Sequence, residues 1–271
     1  MDISLSAKNI IEFGGFHITN TVLAGILTSL IVAVIMFLAA RKASIIPGRL
    51  QVAIEMLMKL VMDLLISAYG DEKRARKYLP FYITLFFFLI IANQFSVIPL
   101  VTNLVTPEGP LLKVSTADFS QTIALALISI VGAHVIALSI HPLGHIGSFI
   151  KIGPLLKSRS VGDVLNALLE MFLGVLDIIG EIAKVISLSA RLFGNIFAGE
   201  VMVAVIAGIA VFTSYFIPVP FLALSIFSGF VQAFVFMILS MQFMAGTINN
   251  VVDKRKEEAA SRLKVEEVPA T

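Results

Sequence analysis

The chain has no cysteine and no tryptophan, and only 14% of its 271 residues are charged, against about 25% in an ordinary soluble domain. Without cysteine there are no disulfides, no thiol catalysis and no thiolate-held zinc. The shortage of charge leaves too little polar surface for a water-soluble enzyme of this length. Lys and Arg number 20 against 18 Asp and Glu, too small an excess to suggest a nucleic-acid partner. What is present is apolar: 58% of the residues are hydrophobic, 21 of them Phe, and the mean hydropathy is +0.97. Such a chain belongs in a lipid bilayer.

The apolar runs divide it into an all-α polytopic membrane protein of one domain with five crossings. Residues 22–40 form a first span without a charge, followed by Arg41 and Lys42. That order reads as a retained helix with a basic stop, not a cleaved signal peptide. Residues 49–69 repeat a polar residue every four positions (Gln51, Glu55, Lys59, Asp63), the pattern of an amphipathic helix on the bilayer surface. A second span is expected over 78–101 and a third over 118–141, with Asp118 placed either to cap it or to stand at a channel mouth. From 162 to 213 the helical rhythm runs without proline. Fifty residues make about 75 Å of helix against about 30 Å of hydrocarbon, so this element must be steeply tilted or broken. A last helix follows over 221–250, and then a charged tail over 251–271.

The positive charges orient this layout. Eight Lys and Arg fall in 41–78, three in 141–160 and five in the tail. The excess marks those loops as cytoplasmic, leaving the N-terminus outside and the C-terminus inside.

Charges also lie within the long helix. Glu170, Asp177, Lys184 and Arg191 are each seven residues apart, which sets them on one stripe. Asn195 extends it, whereas Glu200, nine residues beyond Arg191, is rotated by about 180°. Glu181 and Lys184, at i, i+3, can pair with each other. Arg191 has no such escape, because a guanidinium does not lose its proton, and at mid-bilayer it costs about 2.5–3.5 kcal/mol on insertion scales and about 10 or more in simulations. In the last helix Ser225, Ser228 and Gln232 share a face, a spacing that suits helix packing as well as function. His134 reads as a packed or hydrogen-bonded residue. His141 and His145 stand at i, i+4, but Pro142 and Gly144 argue against a regular helix and a metal site there. No cofactor is expected, and the tail charges read as solvated.

The run Ser187-Leu188-Ser189-Ala190-Arg191-Leu192-Phe193-Gly194-Asn195-Ile196-Phe197-Ala198-Gly199-Glu200 resembles the motif of subunit a of the F-type ATP synthase. Gln232-Ala233-Phe234-Val235-Phe236 resembles that family's last-helix motif, and the likeness extends to Asn93–Pro99 and Ser115–Asp118. The resemblance implies a non-catalytic stator of a hetero-oligomeric complex in the bacterial plasma membrane. Its partners would be a ring of c subunits and the b subunits of the peripheral stalk, and two half-channels would carry ions to the ring. Arg191 matches the arginine facing the ring carboxylate and Gln232 the glutamine beside it. Glu200, Asn195 and Asn93 match the outer route, and Asp177 and Glu170 the cytoplasmic one. Ser225 and Ser96 stand where some members carry titratable groups. No GxxxxGK[ST] phosphate loop occurs in the sequence, in line with nucleotide chemistry on other subunits. A stand-alone secondary transporter would also place charges at the midplane, but such folds are built from repeats and interrupted helices, and neither is evident here.

Overall fold

A computed structural model describes residues 9–13, 16–41, 44–45, 47–95, 105–106, 109–110, 114–149, 161–209 and 218–266. Seven helices account for most of them: α1 (Asn20–Arg41), α2 (Arg49–Tyr69), α3 (Glu72–Gln94), α4 (Phe119–Ile140), α5 (Pro142–Phe149), α6 (Val161–Ile209) and α7 (Pro218–Glu266). Two short antiparallel hairpins depart from the all-helical expectation: β1 (Asn9–Phe13) with β2 (Phe16–Thr19), and β3 (Val105–Thr106) with β4 (Gly109–Pro110). Among the described residues, four helical stretches are long and apolar enough to cross a membrane: Asn20–Arg41, Glu72–Gln94, Phe119–Ile140 and Val219–Ser261.

Burial is inverted relative to a soluble bundle. On α1 the buried residues are Asn20, Thr21, Ala24, Gly25, Thr28 and Val32, while Ile26, Leu30, Val34 and Phe37 are exposed. On α4, Ala126, Ser129, Ala133 and Ala137 are buried, whereas Ile128, Val131 and Val135 face outward. Small and polar residues let helices approach closely where lipid supplies no hydrophobic drive, and large apolar side chains are left for acyl chains.

The chain forms two compact units, residues 1–125 with 188–239 and residues 126–187 with 240–271. In the first, α2 and α3 make a helical hairpin. Gly70 closes α2 in the left-handed region (φ 67) and donates to the Ile66 carbonyl; Asp71 then caps α3 by accepting from the Lys73 amide at 3.2 Å. Val61 and Leu65 are fully buried, Tyr69 stacks on Tyr78 at 4.9 Å, and the Tyr69 and Tyr82 hydroxyls lie 3.3 Å apart. α3 begins at Glu72, upstream of the expected start at 78, because the basic cluster 73–77 is itself helical. It is capped by Asp71 and braced by Arg76–Glu72 at 2.7 Å, and Pro80 is accommodated inside the helix. Phe86 sets its ring edge against Phe230 and Phe234 of α7. Asp118 acts as a cap and a clasp: one carboxylate oxygen accepts from the Ser120 amide at 2.9 Å and the other from the Thr21 hydroxyl at 2.8 Å.

In the second unit α5 occupies part of what the sequence suggested was irregular. Pro142 sits at its first position, where the missing N–H would be unpaired anyway. α7 continues past Asn250 to Glu266, since its Lys, Glu, Arg and Ala residues are strong helix formers. Two residues of this extension hold α5 and its flank: Lys254 Nζ donates to Ser148 Oγ at 2.6 Å, and His141 Nε2 lies 3.1 Å from Glu258 Oε2. These two charges are engaged with protein, whereas Asp253, Arg255, Lys256 and Glu257 are exposed, as a solvated tail would have them. On α6, a Cβ at Gly174 would stand 2.2 Å from the Phe149 carbonyl oxygen, so only glycine fits there.

Candidate functional site

In the first unit, α3, α6 and α7 bring together most of the residues singled out in the sequence. Asn93, 2% exposed, donates its amide to the Gly229 carbonyl at 3.0 Å. The next residue, Gln94, donates to the Ile226 carbonyl at 3.1 Å. Asn195 accepts from the Ser228 hydroxyl at 2.7 Å, which fixes α6 against α7. About one turn away in the same interface, Gly199 would bring a Cβ to 3.3 Å from Ser225 Oγ, so Ser225 fills the notch that the glycine leaves. Glu200 is half-buried. Gln232 is 8% exposed, and its Nε2 has no hydrogen-bond partner among the described residues. A buried amide donor left in that state costs about 1–3 kcal/mol.

Arg191 differs from all of these. Its neighbours Leu188 and Leu192 are buried, but Arg191 itself is exposed, and nothing among the described residues pairs with it. Around it the exposed positions are Ala190, Gly194 and Ala198, where the rest of the helix surface presents Leu, Ile and Phe. The surface is thus notched beside a fixed positive charge, and a carboxylate on a closely approaching helix would satisfy both features. Ser96 lies outside the described residues.

The second unit holds Glu170 and Asp177, both exposed on α6. It also holds a cluster the sequence reading did not assemble. Glu181 pairs with Lys184 at 2.6 Å, and its other oxygen lies 3.3 Å from His134 Nε2. His134 Nδ1 is 3.1 Å from His145 Nε2, and Phe149 sets its ring edge-on to both imidazoles. Lys184 Nζ also lies 5.5 Å from the centre of the Phe243 ring. The proximity of Glu181 and Lys184 was legible from their spacing; His134 is 47 positions from Glu181, and no local pattern links them. His141 and His145 do not act as a pair, since one faces Glu258 and the other His134. Burial pushes the His145 pKa down, assisted by the nearby His134.

Long apolar helices, of which α1 and α4 turn large apolar residues outward and bury small or polar ones, with an exposed guanidinium on an apolar stretch of α6, define a multi-pass membrane protein. The family model described as ATP synthase A chain matches residues 22–245, and the chain belongs to that family. It is 33% identical over 213 residues to ATP synthase subunit a of Syntrophobacter fumaroxidans, covering 79% of this chain and 77% of that protein. Identity is 30% over 241 residues to ATP synthase subunit a of Moorella thermoacetica, covering 89% of this chain and 95% of its counterpart. Against ATP synthase subunit a of Desulforamulus reducens it is 34% over 206 residues, covering 73% and 67%.

Proposed function

We propose that this chain is the stator subunit a of a rotary F-type ATP synthase. It forms two ion half-channels against a ring of c subunits, is held by peripheral-stalk b subunits, and couples transmembrane proton flow to rotation and ATP synthesis. Family membership supports the general role. The observation that carries the mechanism is Arg191, exposed and unpaired among the described residues, on a face lowered by Ala190, Gly194 and Ala198. A ring carboxylate arriving there meets a cation that cannot be neutralised by deprotonation. It gives up its proton, and the same charge blocks direct passage of protons between the two routes. Each proton crossing 100 mV releases about 2.3 kcal/mol, so several per turn can drive phosphorylation on catalytic subunits elsewhere. The chain itself performs no nucleotide chemistry.

In this reading Glu200, Asn195, Asn93 and Ser225 serve the outer route, Gln232 offers its free amide beside the ring, and Asp177 and Glu170 serve the cytoplasmic route. Asp118, engaged by Ser120 and Thr21, is a structural cap. The chain crosses the bacterial plasma membrane five times, α6 steeply tilted and α2 on the cytoplasmic surface, with its N-terminus outside and its C-terminus inside. The test is ATP-driven acidification of inverted vesicles. Arg191→Ala, and even Arg191→Lys, which keeps the charge but loses the planar fork, should abolish it while the complex still assembles. Normal coupled pumping by the Arg191→Ala complex would overturn the proposal.

A further inference from the structure

We propose that His145, His134 and Glu181 form a proton-exchange chain that feeds the cytoplasmic route; this rests on the stator reading above and on its orientation. Three elements converge to build it. His145 comes from α5, at the start of the 141–160 segment that carries three Lys and Arg, His134 from α4 and Glu181 from α6. The spacings are 3.1 Å from His145 Nε2 to His134 Nδ1 and 3.3 Å from His134 Nε2 to Glu181 Oε2. Both ring nitrogens of His134 thus face a group able to give or take a proton, in the order imidazole, imidazole, carboxylate. Lys184 holds the other oxygen of Glu181 at 2.6 Å, leaving Oε2 buried without a hydrogen-bond partner among the described residues and 3.3 Å from His134 Nε2. One turn earlier on α6 stands Asp177, on the same side of the helix as Glu181.

The step balances as a transfer of one proton with no change in oxidation state. Water gives a proton to His145 Nδ1; the His145 Nε2 proton passes to His134 Nδ1; the His134 Nε2 proton passes to Glu181 Oε2. Glu181 releases it toward Asp177 and the ring, and reorientation of the two rings restores their tautomers. Among the described residues, the charged and titratable groups around the chain are Glu181 and Lys184 on α6, His145 on α5 and Lys254 on α7, which acts on His145 from its own side. Phe149 packs against both rings and narrows the alternatives open to the protons. An imidazole can take a proton on one ring nitrogen while giving one up from the other, and a lone carboxylate at the channel entrance has no such second nitrogen. The chain should therefore matter most when protons are scarce on the cytoplasmic side.

The experiment measures the rate of ATP-driven proton uptake against pH in inverted vesicles carrying the complete complex, whose cytoplasmic face meets the medium. His134→Gln should leave uptake near normal at about pH 6 and lower it about tenfold or more at about pH 8, a smaller loss than the roughly hundredfold or more that a general acid or base contributes to a chemical step. His145→Gln, which spares the His134–Glu181 contact, should shift the alkaline limb the same way. A purely packing role would lower uptake equally at all pH values. An assembled His134→Gln or His145→Gln complex whose profile overlies the unsubstituted one, or is scaled down uniformly, overturns the proposal while leaving the stator reading intact. That reading fails separately, and takes this one with it, if Arg191→Ala pumps. Should neither histidine variant assemble, Glu181→Gln, which keeps the shape but cannot take the proton, decides: an assembled Glu181→Gln complex whose profile overlies the unsubstituted one overturns the proposal.

Discussion

Asn93 and Gly229 touch across the α3–α7 interface: the Asn93 amide donates to the Gly229 carbonyl at 3.0 Å, and a Cβ on Gly229 would lie 3.2 Å from Asn93 Cβ. The glycine is what lets the asparagine reach backbone, and the bond ties α3 to α7 beside the buried Gln232. Gly229→Leu should force the helices apart and lower stability by about 1–3 kcal/mol. Asn93→Ala should cost about 1 kcal/mol, in keeping with one interhelical hydrogen bond in a membrane protein. Thermal unfolding of the purified complex in detergent checks both. A Gly229→Leu complex that melts with the unsubstituted one would show that this interface opens without strain.

That contact also marks what the sequence could and could not reveal. Arg191, Asn195, Ser225, Ser228 and Gln232 stood out because helical periodicity is local: a residue's face follows from its number. Ser228 meeting Asn195 at 2.7 Å is the kind of encounter such faces suggest. Asn93–Gly229, His134–Glu181 and Gly174–Phe149 are tertiary, joining residues from 25 to 136 positions apart, and no spacing rule reaches that far. The helix at Pro142 was missed for a different reason. Proline and glycine read as breakers in a bare sequence, although proline at a first helical position is favourable.

Gly174 makes the second prediction. Its missing Cβ leaves room for the Phe149 carbonyl, which a methyl group would approach to 2.2 Å. Because the obstructing atom is backbone, no side-chain rotation relieves the clash. Gly174→Ala should displace α5 at a cost of about 1–3 kcal/mol, even though alanine is the better helix former. Protease sensitivity in the 142–149 segment, compared between the two proteins, reads this directly. Unchanged cleavage together with unchanged melting would contradict it.

The α2–α3 hairpin carries opposite pH limits at its two ends. The Lys73 amide hydrogen bond, with Arg74 assisting, holds the Asp71 pKa below its ordinary 3.8. The unfolded chain therefore binds the proton first, and the stabilisation, fully present above about pH 4, is lost as pH falls through the lower folded value. Tyr69 behaves in reverse. Burial raises its pKa from 10.0 to about 12, against the partial relief of its bond to Tyr82, so its stabilisation is complete below pH 10.0 and disappears as pH rises through about 12. Asp71→Asn should flatten the acid limb of a melting-against-pH curve and leave the alkaline limb alone, while Tyr69→Phe should do the converse. A single substitution that moved both limbs would show that the hairpin does not titrate as two separate ends.

Gln232 separates function from stability most sharply. Its Nε2 is buried and lacks a hydrogen-bond partner among the described residues, so the isolated chain loses little when that amide is removed. Gln232→Leu keeps the volume and deletes the unsatisfied donor, and replacing such a group by an apolar one of similar shape is often neutral or stabilising. The substituted complex should therefore melt at the same temperature or higher, and should still copurify with its partners. On the proposed reading, in which the donor is used only when a ring carboxylate passes, its coupled pumping should nonetheless fall, though less than for Arg191→Ala. If Gln232→Leu instead lowers the melting temperature and leaves pumping per assembled complex unchanged, the amide is structural glue and has no part in the ion path.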